Sequence, residues 1–235
     1  MQKGTSAEET LVAKAAFEAC AKAQGMNAQA CHADNGVFKA KAWVRHCYLS
    51  GQDLTFSGVG AHHQNGMAER RIRLLQELTR TMLMHANKRW PRVIATNLWP
   101  CAMRMANDVL NETPSLQDKL RRTAQQTFSN AKVNANPKHW KPFGCPACVL
   151  DGALQDGKMF HKWKERSKVG VCLGKSPVHA KNVALILDQQ TGKVSPQFHV
   201  TFDPDFASVT NPALNCHWES QALFVTLAKS GSNVT

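Results

Sequence analysis

This chain of 235 residues lacks several features that would place it in familiar classes of protein. It has no apolar run of about 18 residues, so nothing predicts a helix that spans a membrane. Its polar start, Met1 to Ser6, is without the apolar core of a secretory signal. Tyrosine occurs once, at Tyr48, and we find no internal repeats. We therefore expect an intracellular chain with no membrane partner.

Acidic residues are also scarce, with 17 Asp and Glu against 29 Lys and Arg. The formal net charge of +12 favours a polyanionic partner. Contacts of Lys and Arg with phosphate release counterions and supply affinity that does not depend on nucleotide sequence. The alternative is a solvated basic surface without a partner. The apolar fraction of 43% is ordinary for a globular protein with a core.

The eight cysteines are scattered through apolar segments, a pattern typical of reduced thiols and not of a disulfide framework. Cys145 and Cys148 form a single CxxC motif. A structural zinc site needs four ligands, and no second pair of cysteines or histidines follows nearby. The motif precedes a strand pattern, whereas a redox motif is expected at the start of a helix. Neither activity is predicted from it.

Periodicity predicts helices over 7–24, 37–49, 67–89 and 98–111, with Ser6 capping the first. Strands are predicted to end near Asp34 and to span 54–57. After a polar, basic segment that allows one short helix, short strands are predicted at 148–150, 169–173, 183–187 and 197–201. The loop at 188–192 indicates a hairpin. The loop around Gly58 and Gly60 is predicted to be mobile.

The helix over 67–89 has two contrasting faces. Glu69, Arg73, Gln76 and Arg80 fall on one line of the helix at its 3.6-residue period. An apolar stripe lies on the other side, where we expect burial against a core; it comprises Ala68, Ile72, Leu75, Leu78, Met82 and Ala86.

Two carboxylates are each set beside an Asn-Gly turn. Asp34 occurs in His32-Ala33-Asp34-Asn35-Gly36, and Glu69 occurs 35 positions later in His62-His63-Gln64-Asn65-Gly66-Met67-Ala68-Glu69-Arg70-Arg71-Ile72-Arg73. Taken singly, Asp34 is ordinary turn chemistry and Glu69 is an ordinary first-turn acid that complements a helix dipole. A carboxylate among arginines also suits a site that holds a divalent metal and takes a polyanion.

Together these two segments resemble the second half of the Asp-Asp-Glu core of copia-type retrotransposon integrases, which carry similar Ser-Asp-Asn-Gly and Gln-Asn-Gly-x-x-Glu-Arg motifs. The strand-rich region, from Phe143-Gly144-Cys145 to the closing Phe198-His199-Val200-Thr201-Phe202-Asp203, resembles the SH3-like domain that follows that core. The resemblance covers about 200 residues.

The resemblance implies an α/β fold, a partial ribonuclease-H-like integrase core, followed by a small all-β SH3-like barrel. We expect the core over 1–112, a basic linker over 113–141, the barrel over 142–206 and a weakly structured tail over 207–235. The family's first aspartate has no counterpart, because no Asp precedes Asp34. We therefore expect a chain truncated at its N-terminus.

The resemblance also assigns roles. Asp34 and Glu69 match the second and third catalytic carboxylates, which bind Mg²⁺ (or Mn²⁺) in the intact family. Without the bridging aspartate they are expected to bind metal weakly. DNA is the implied partner, with the nucleus as the place of action, and association with further integrase subunits into a homo-oligomer is compatible with the family.

The candidate nucleic-acid contacts are Asn65, Arg70, Arg73, Arg80, Lys162 and Lys164. Lys162 and Lys164 flank Trp163, and basic residues interleaved with an aromatic ring fit contact with a nucleic-acid backbone. Alternatively, Trp163 packs on the sheet and the lysines are solvated. His62 and His63 are expected to face DNA or solvent, since adjacent histidines point apart in extended chain.

The function expected from the sequence is that of an integrase fragment. The intact protein would join DNA strands by metal-dependent transesterification. This chain is expected to keep nucleic-acid binding without catalysis. The alternative is a non-enzymatic DNA-binding or assembly module derived from an integrase.

Overall fold

A computed structural model describes residues 6–58, 62–91, 93–116, 118–130, 139–155, 157 and 161–210. The chain is a mixed α/β protein. Its helices are α1 (Ala7–Ala23), α2 (Lys41–Leu49), α3 (Gly66–Arg89), α4 (Trp99–Glu112), α5 (Ala124–Ser129), α6 (Gly152–Gln155) and α7 (Ala207–Thr210). Short 3-10 helices occupy Val37–Lys39, His62–Asn65 and Thr96–Leu98. No helix in the described part of the chain combines the length and apolar character needed to cross a bilayer.

The strands form two separate sheets. β1 (Ala30–Ala33) and β2 (Asp53–Phe56) pair in parallel, with Ala33 opposite Phe56. The second sheet is antiparallel and has the order β6-β5-β4-β3-β7. Its strands are β3 (Pro146–Leu150), β4 (Ser167–Lys175), β5 (Ala184–Asp188), β6 (Val194–Gln197) and β7 (Val200–Phe202).

The chain divides into two compact units. Unit 1 comprises Met1–Leu74 and Leu110–Ala135, and unit 2 comprises Leu75–Val109 and Asn136–Thr235. The buried apolar residues described in unit 1 are Ala21, Ala33, Trp43 and Cys47. Unit 2 contains the main hydrophobic core, in which α3 and α4 contribute Ala86, Ala102 and Met105, and the sheet contributes Val171, Leu173 and Ile186.

A β-bulge at Gly144 joins the segment before β3 to β4. Gly144 donates its N–H to the Cys172 carbonyl at 2.8 Å, while Cys172 donates to the Cys145 carbonyl at 3.0 Å. Two residues therefore oppose one, and Gly144 takes the left-handed φ of +75° that such a bulge requires. A Cβ at this position would lie 2.7 Å from the Cβ of Ala86 and 3.0 Å from Cδ1 of Ile94, so the bulge lets the backbone pack tightly on the core.

Most predicted elements are present within about two residues of their expected bounds. Ser6 caps α1 by accepting the Glu9 N–H at 3.2 Å, and the expected hairpin joins β5 to β6. The strand predicted at 197–201 is instead divided between β6 and β7, which pair with different partners. The Gly60 part of the predicted mobile loop and the tail beyond residue 210 lie outside the described residues.

Two expectations about packing need correction. The described strands form an open five-stranded sheet and not a closed barrel, because β6 and β7 lie at its opposite edges. The apolar stripe of α3 is covered only in its C-terminal half. Ala86 is fully buried, whereas Ala68 is exposed and Ile72 is 55% exposed.

Candidate nucleic-acid interface

Asp34 directly follows β1, as the sequence predicted. Its Oδ1 accepts the N–H of Gly36 at 3.1 Å, so the carboxylate closes a turn and remains exposed. Because β1 and β2 are parallel, their carboxyl ends lie at the same edge of the sheet. The turn that carries Asp34 therefore lies at the end of the strands where ligands are bound in open α/β sheets.

Hydrogen bonds connect this turn to the segment that leads into α3. Asn35 Nδ2 donates to the Ser57 carbonyl at 2.7 Å, just beyond β2. The next residue, Gly58, donates its N–H to Gln64 Oε1 at 2.8 Å. Both Asn-Gly motifs are thus attached to the end of β2, one through Asn35 and the other through Gln64. Asn65, beside Gln64, is partly buried.

Glu69 lies in the first turn of α3 and is exposed. In the described part of the chain no hydrogen bond or ion pair joins it to Asp34. Within that same part, no group of three or more His, Cys, Asp or Glu side chains is placed to hold a metal ion. The two predicted metal ligands therefore belong to segments attached to one strand end, without forming a complete metal centre.

The arginines of α3 present a cationic surface. Arg70, Arg73 and Arg80 are all exposed, and within the described residues none of their side chains makes a hydrogen bond or ion pair. Arg71 differs, since its Nη2 donates to Asn111 Oδ1 at 3.1 Å and thereby links α3 to α4. The three exposed guanidinium groups suit contact with phosphates, for which Arg offers a rigid set of donors.

A second cationic segment surrounds Trp163. The indole is 85% exposed. The alternative in which Trp163 packs on the sheet is therefore wrong. Lys162 Nζ lies 5.9 Å from the centroid of this ring. Lys164 is exposed on the other side of Trp163, and its N–H donates to the His161 carbonyl at 3.0 Å. An exposed indole beside lysines offers a stacking surface for a base.

Sequence reasoning missed a polar network that joins α1 to α2. Glu18 Oε1 accepts hydrogen bonds from Lys14 and, at 2.7 Å, from Gln52, and Glu18 Oε2 accepts from His46 at 2.9 Å. Burial raises the pKa of Glu18, but the hydrogen bonds from Lys14, His46 and Gln52 outweigh it and lower the pKa to about 2. Only the Lys14 and Glu18 pair, at i and i+4 on one helix, was visible in the sequence.

Both cysteines of the CxxC motif, Cys145 and Cys148, are buried. Cys145 is fully buried and lies opposite Cys172 at the Gly144 bulge. The hydrogen bond with Cys172, together with burial, raises the pKa of the Cys145 thiol, so the thiol stays protonated at neutral pH. The side chains of His62 and His63 lie outside the described parts of the structure.

Comparisons with known proteins show a similarity in structure alone. No protein-family model matches the chain, and no curated protein matches it. The chain is similar in structure to a chain in a cryoEM structure of the simian T-cell lymphotropic virus intasome in complex with the PP2A regulatory subunit B56 gamma. The two share 15% sequence identity at a TM-score of 0.40, over 86% of this chain and 63% of that one. This chain thus spans less than two thirds of that chain's length. A similarity of this size establishes neither family nor fold.

Proposed function

We propose that this chain is an integrase-derived module that binds DNA through sequence-independent contacts to phosphate. The finer assignment is to the copia type, with a ribonuclease-H-like region followed by an SH3-like domain. The observation that carries the proposal is the exposed arginine surface of α3, which begins directly after the Gln64-Asn65-Gly66 segment. With DNA as its partner, the proposed place of action is the nucleus, with the cytoplasm as the alternative.

The physical basis of binding is the excess of positive charge. A net charge of +12 attracts a polyanion over long range, and each phosphate contact releases condensed counterions. Arg70, Arg73 and Arg80 position the phosphodiester backbone, with Asn65 at the base of the same helix. Such contacts fix the orientation of DNA but read little sequence.

Catalysis is a separate question, and the residues present do not fit the metal site of the intact family. A two-metal site needs carboxylates that bridge and flank both ions. Asp34 and Glu69 are exposed, Asp34 is engaged by Gly36, and the described residues supply no third ligand beside them. We therefore expect this chain to catalyse no strand transfer with either Mg²⁺ or Mn²⁺.

Fluorescence anisotropy with a labelled 20-base-pair duplex tests DNA binding. The expected dissociation constant is roughly 10⁻⁶ to 10⁻⁴ M at physiological salt, with a steep loss of affinity as salt rises. Exchanging Arg70 and Arg73 for Gln should lower the slope of log K against log salt by about 0.9 per lost contact. The matched control removes two exposed charges elsewhere in unit 1, through Lys22→Gln and Lys41→Gln. Equal slopes for the two double variants would show that DNA does not bind at the arginines of α3.

A strand-transfer assay with Mg²⁺ or Mn²⁺ tests the absence of catalysis. We expect no joined product from the wild-type chain, unchanged DNA affinity for Asp34→Asn, and no loss of DNA affinity for Glu69→Gln, which removes a negative charge beside the arginines. Turnover that Glu69→Gln abolishes would overturn the non-catalytic assignment and make the two carboxylates functional ligands.

One observation favours a second candidate, an assembly module. Ala68 and Ile72 are neighbours on the apolar stripe of α3 and both are exposed, Ile72 by 55%, so a second copy of the chain would bury this apolar surface. Sedimentation velocity distinguishes the two candidates. A dimer that Ile72→Ser dissociates supports assembly, and a monomer at all concentrations supports DNA binding alone.

A further inference from the structure

Unit 2 contains a cavity of about 180 Å³ whose wall combines aromatic rings with lysines. It lies between α4, the ends of β4 and β7, and the start of β5. Its apolar wall includes Trp140 and Phe202, and its polar wall includes Lys141, Lys175, Lys181 and Asn182. Among the described residues that line it there is no carboxylate, so its charge is uniformly positive.

The cations of this cavity lie against its rings. Lys175 Nζ is 3.7 Å from the centroid of the Trp140 ring, and Lys141 Nζ is 6.0 Å from that of Phe202. Contact of this kind places an ammonium group beside an aromatic surface. A ligand with an anionic group and a flat ring could therefore contact this wall twice, through the lysines and through the aromatic rings.

The mouth of the cavity is held by the loop between β4 and β5. Ser176 donates its N–H to the Val183 carbonyl at 2.9 Å, and its hydroxyl shares a hydrogen bond of 2.7 Å with His179 Nδ1. Val183 in turn donates to the Ala180 carbonyl at 2.9 Å. These bonds fix the loop that presents Lys181 and Asn182, so the site is largely formed before a ligand enters.

Size selects among ligands that carry a phosphate and a ring. Pockets that enclose a whole drug-sized ligand usually measure about 300–1,000 Å³. A cavity of about 180 Å³ is smaller, and so it suits one part of a longer molecule. A base pair in a duplex cannot present its ring to such a wall, whereas an unpaired nucleotide can.

We propose that this cavity takes one unpaired nucleotide of a single-stranded nucleic acid, with the base on the Trp140 and Phe202 wall and the phosphate among the lysines. The inference rests on the proposed function and deepens it, since it gives unit 2 a contact distinct in kind from the duplex-binding arginines of α3. Cationic grooves with stacking rings are the usual means of holding single strands.

The test measures binding of a fluorescein-labelled single strand of thymidines by anisotropy. The cavity variant carries Lys175→Gln and Lys181→Gln. The matched control carries Lys168→Gln and Lys193→Gln, two exposed lysines outside the cavity, one in β4 and one directly before β6. Two lost phosphate contacts should lower single-strand affinity roughly tenfold at 0.1 M salt and reduce the salt slope by about 1.4. The exposed Lys181→Gln alone guards against misfolding of the double variant, and should lower the slope by about 0.7.

The outcomes separate this inference from the proposed function. Equal losses of single-strand affinity in the cavity and control variants, while the wild-type chain still binds duplex, overturn the cavity inference but leave the proposed DNA binding in place. Absence of binding to any DNA overturns both. Because a free nucleotide competes for the same cavity, displacement of the strand by millimolar thymidine monophosphate supports the inference, and no displacement counts against it. A photo-crosslink from 5-iododeoxyuridine to Trp140 or Phe202 supports the inference, and crosslinks confined to Trp163 count against it.

Discussion

At the scale of single residues, Gly144 makes the sharpest prediction. An alanine there would hold the left-handed φ of +75° and place its Cβ 2.7 Å from the Cβ of Ala86, which has no freedom to move aside. Conformational strain and overpacking together should lower the free energy of unfolding by about 2–4 kcal/mol. Urea titration measures the loss.

Gly192 supplies the control for that substitution. Its φ of +67° is similar, but nothing lies within 4 Å of the added Cβ. Gly192→Ala should therefore cost only the conformational part, about 1 kcal/mol. Equal losses for the two variants would show that the close approach to Ala86 contributes nothing.

Glu18 gives a prediction about pH. Its pKa is lowered to about 2 from 4.5, so its contribution to stability is complete above pH 4.5 and is lost as the pH falls towards 2. Between pH 5 and pH 3, the difference in unfolding free energy between wild type and Glu18→Gln should shrink by about 2 kcal/mol. Urea titrations at the two pH values check this.

Exchanging the exposed Glu8 for Gln is the control for Glu18, because it removes the same charge from the same helix. Wild type and Glu8→Gln should lose stability in parallel from pH 5 to pH 3. A Glu18→Gln difference that stays constant over this range would mean that the network does not hold the carboxylate in its charged form.

These residues also show where sequence reasoning stops. Ser6 was predicted as a cap because its partner, Glu9, is only three positions away. Gln52 and His46 could not be connected to Glu18, since 34 and 28 positions separate them and only the packing of α1 on α2 brings them together. The 2.7 Å approach at Gly144 depends in the same way on long-range packing.

At the scale of elements, α5 depends on its cap. Thr123 is buried, its hydroxyl accepts the Gln126 N–H at 3.0 Å, and Gln126 Oε1 accepts the Thr123 N–H at 2.7 Å. Thr123→Ala should cost about 1–2 kcal/mol, because two backbone donors at a six-residue helix depend on this pair. Thr123→Ser keeps the hydroxyl and should recover most of the loss.

Hydrogen exchange measures the effect on α5 directly. Amides of Ala124–Ser129 should exchange faster in Thr123→Ala than in wild type, while those of β4 stay unchanged. Slow exchange in both variants would show that tertiary packing, and not the cap, stabilises this helix.

The elements also separate what local pattern can and cannot predict. The periodicity of α3 predicted its length to within one residue at the start, but not that Ile72 would be exposed, since burial depends on what packs there. The short apolar runs at 148–150, 169–173 and 183–187 predicted strands β3, β4 and β5. Whether a sheet closes depends on pairing between strands distant in sequence, such as β3 with β7, and local pattern carries no information on that.

For the candidate site, the sequence predicted the two carboxylates and the basic helix, and the structure attaches both motifs to the end of β2. It could not predict the cavity lined by Trp140, Lys175 and Phe202. These residues come from three separate parts of unit 2, and the lysines stand in no motif.

At the scale of the whole molecule, the core is unevenly distributed. The main cluster of buried apolar residues lies in unit 2, whereas the buried apolar residues described in unit 1 are two alanines, Trp43 and Cys47. Stability follows the apolar surface removed from water, at about 25 cal/mol per Å². We therefore expect unit 1 to open at a lower free energy than unit 2.

Hydrogen exchange under native conditions tests this order, because it reports the opening free energy of each region separately. Amides of β1, β2 and α2 should exchange through openings that are a few kcal/mol easier than those of β3, β4 and β5. Trp43→Phe should weaken unit 1 further while leaving the exchange of β4 unchanged, because Trp43 is the one large apolar side chain among the buried residues described for unit 1. Protection at one uniform level would show instead that the two units unfold together.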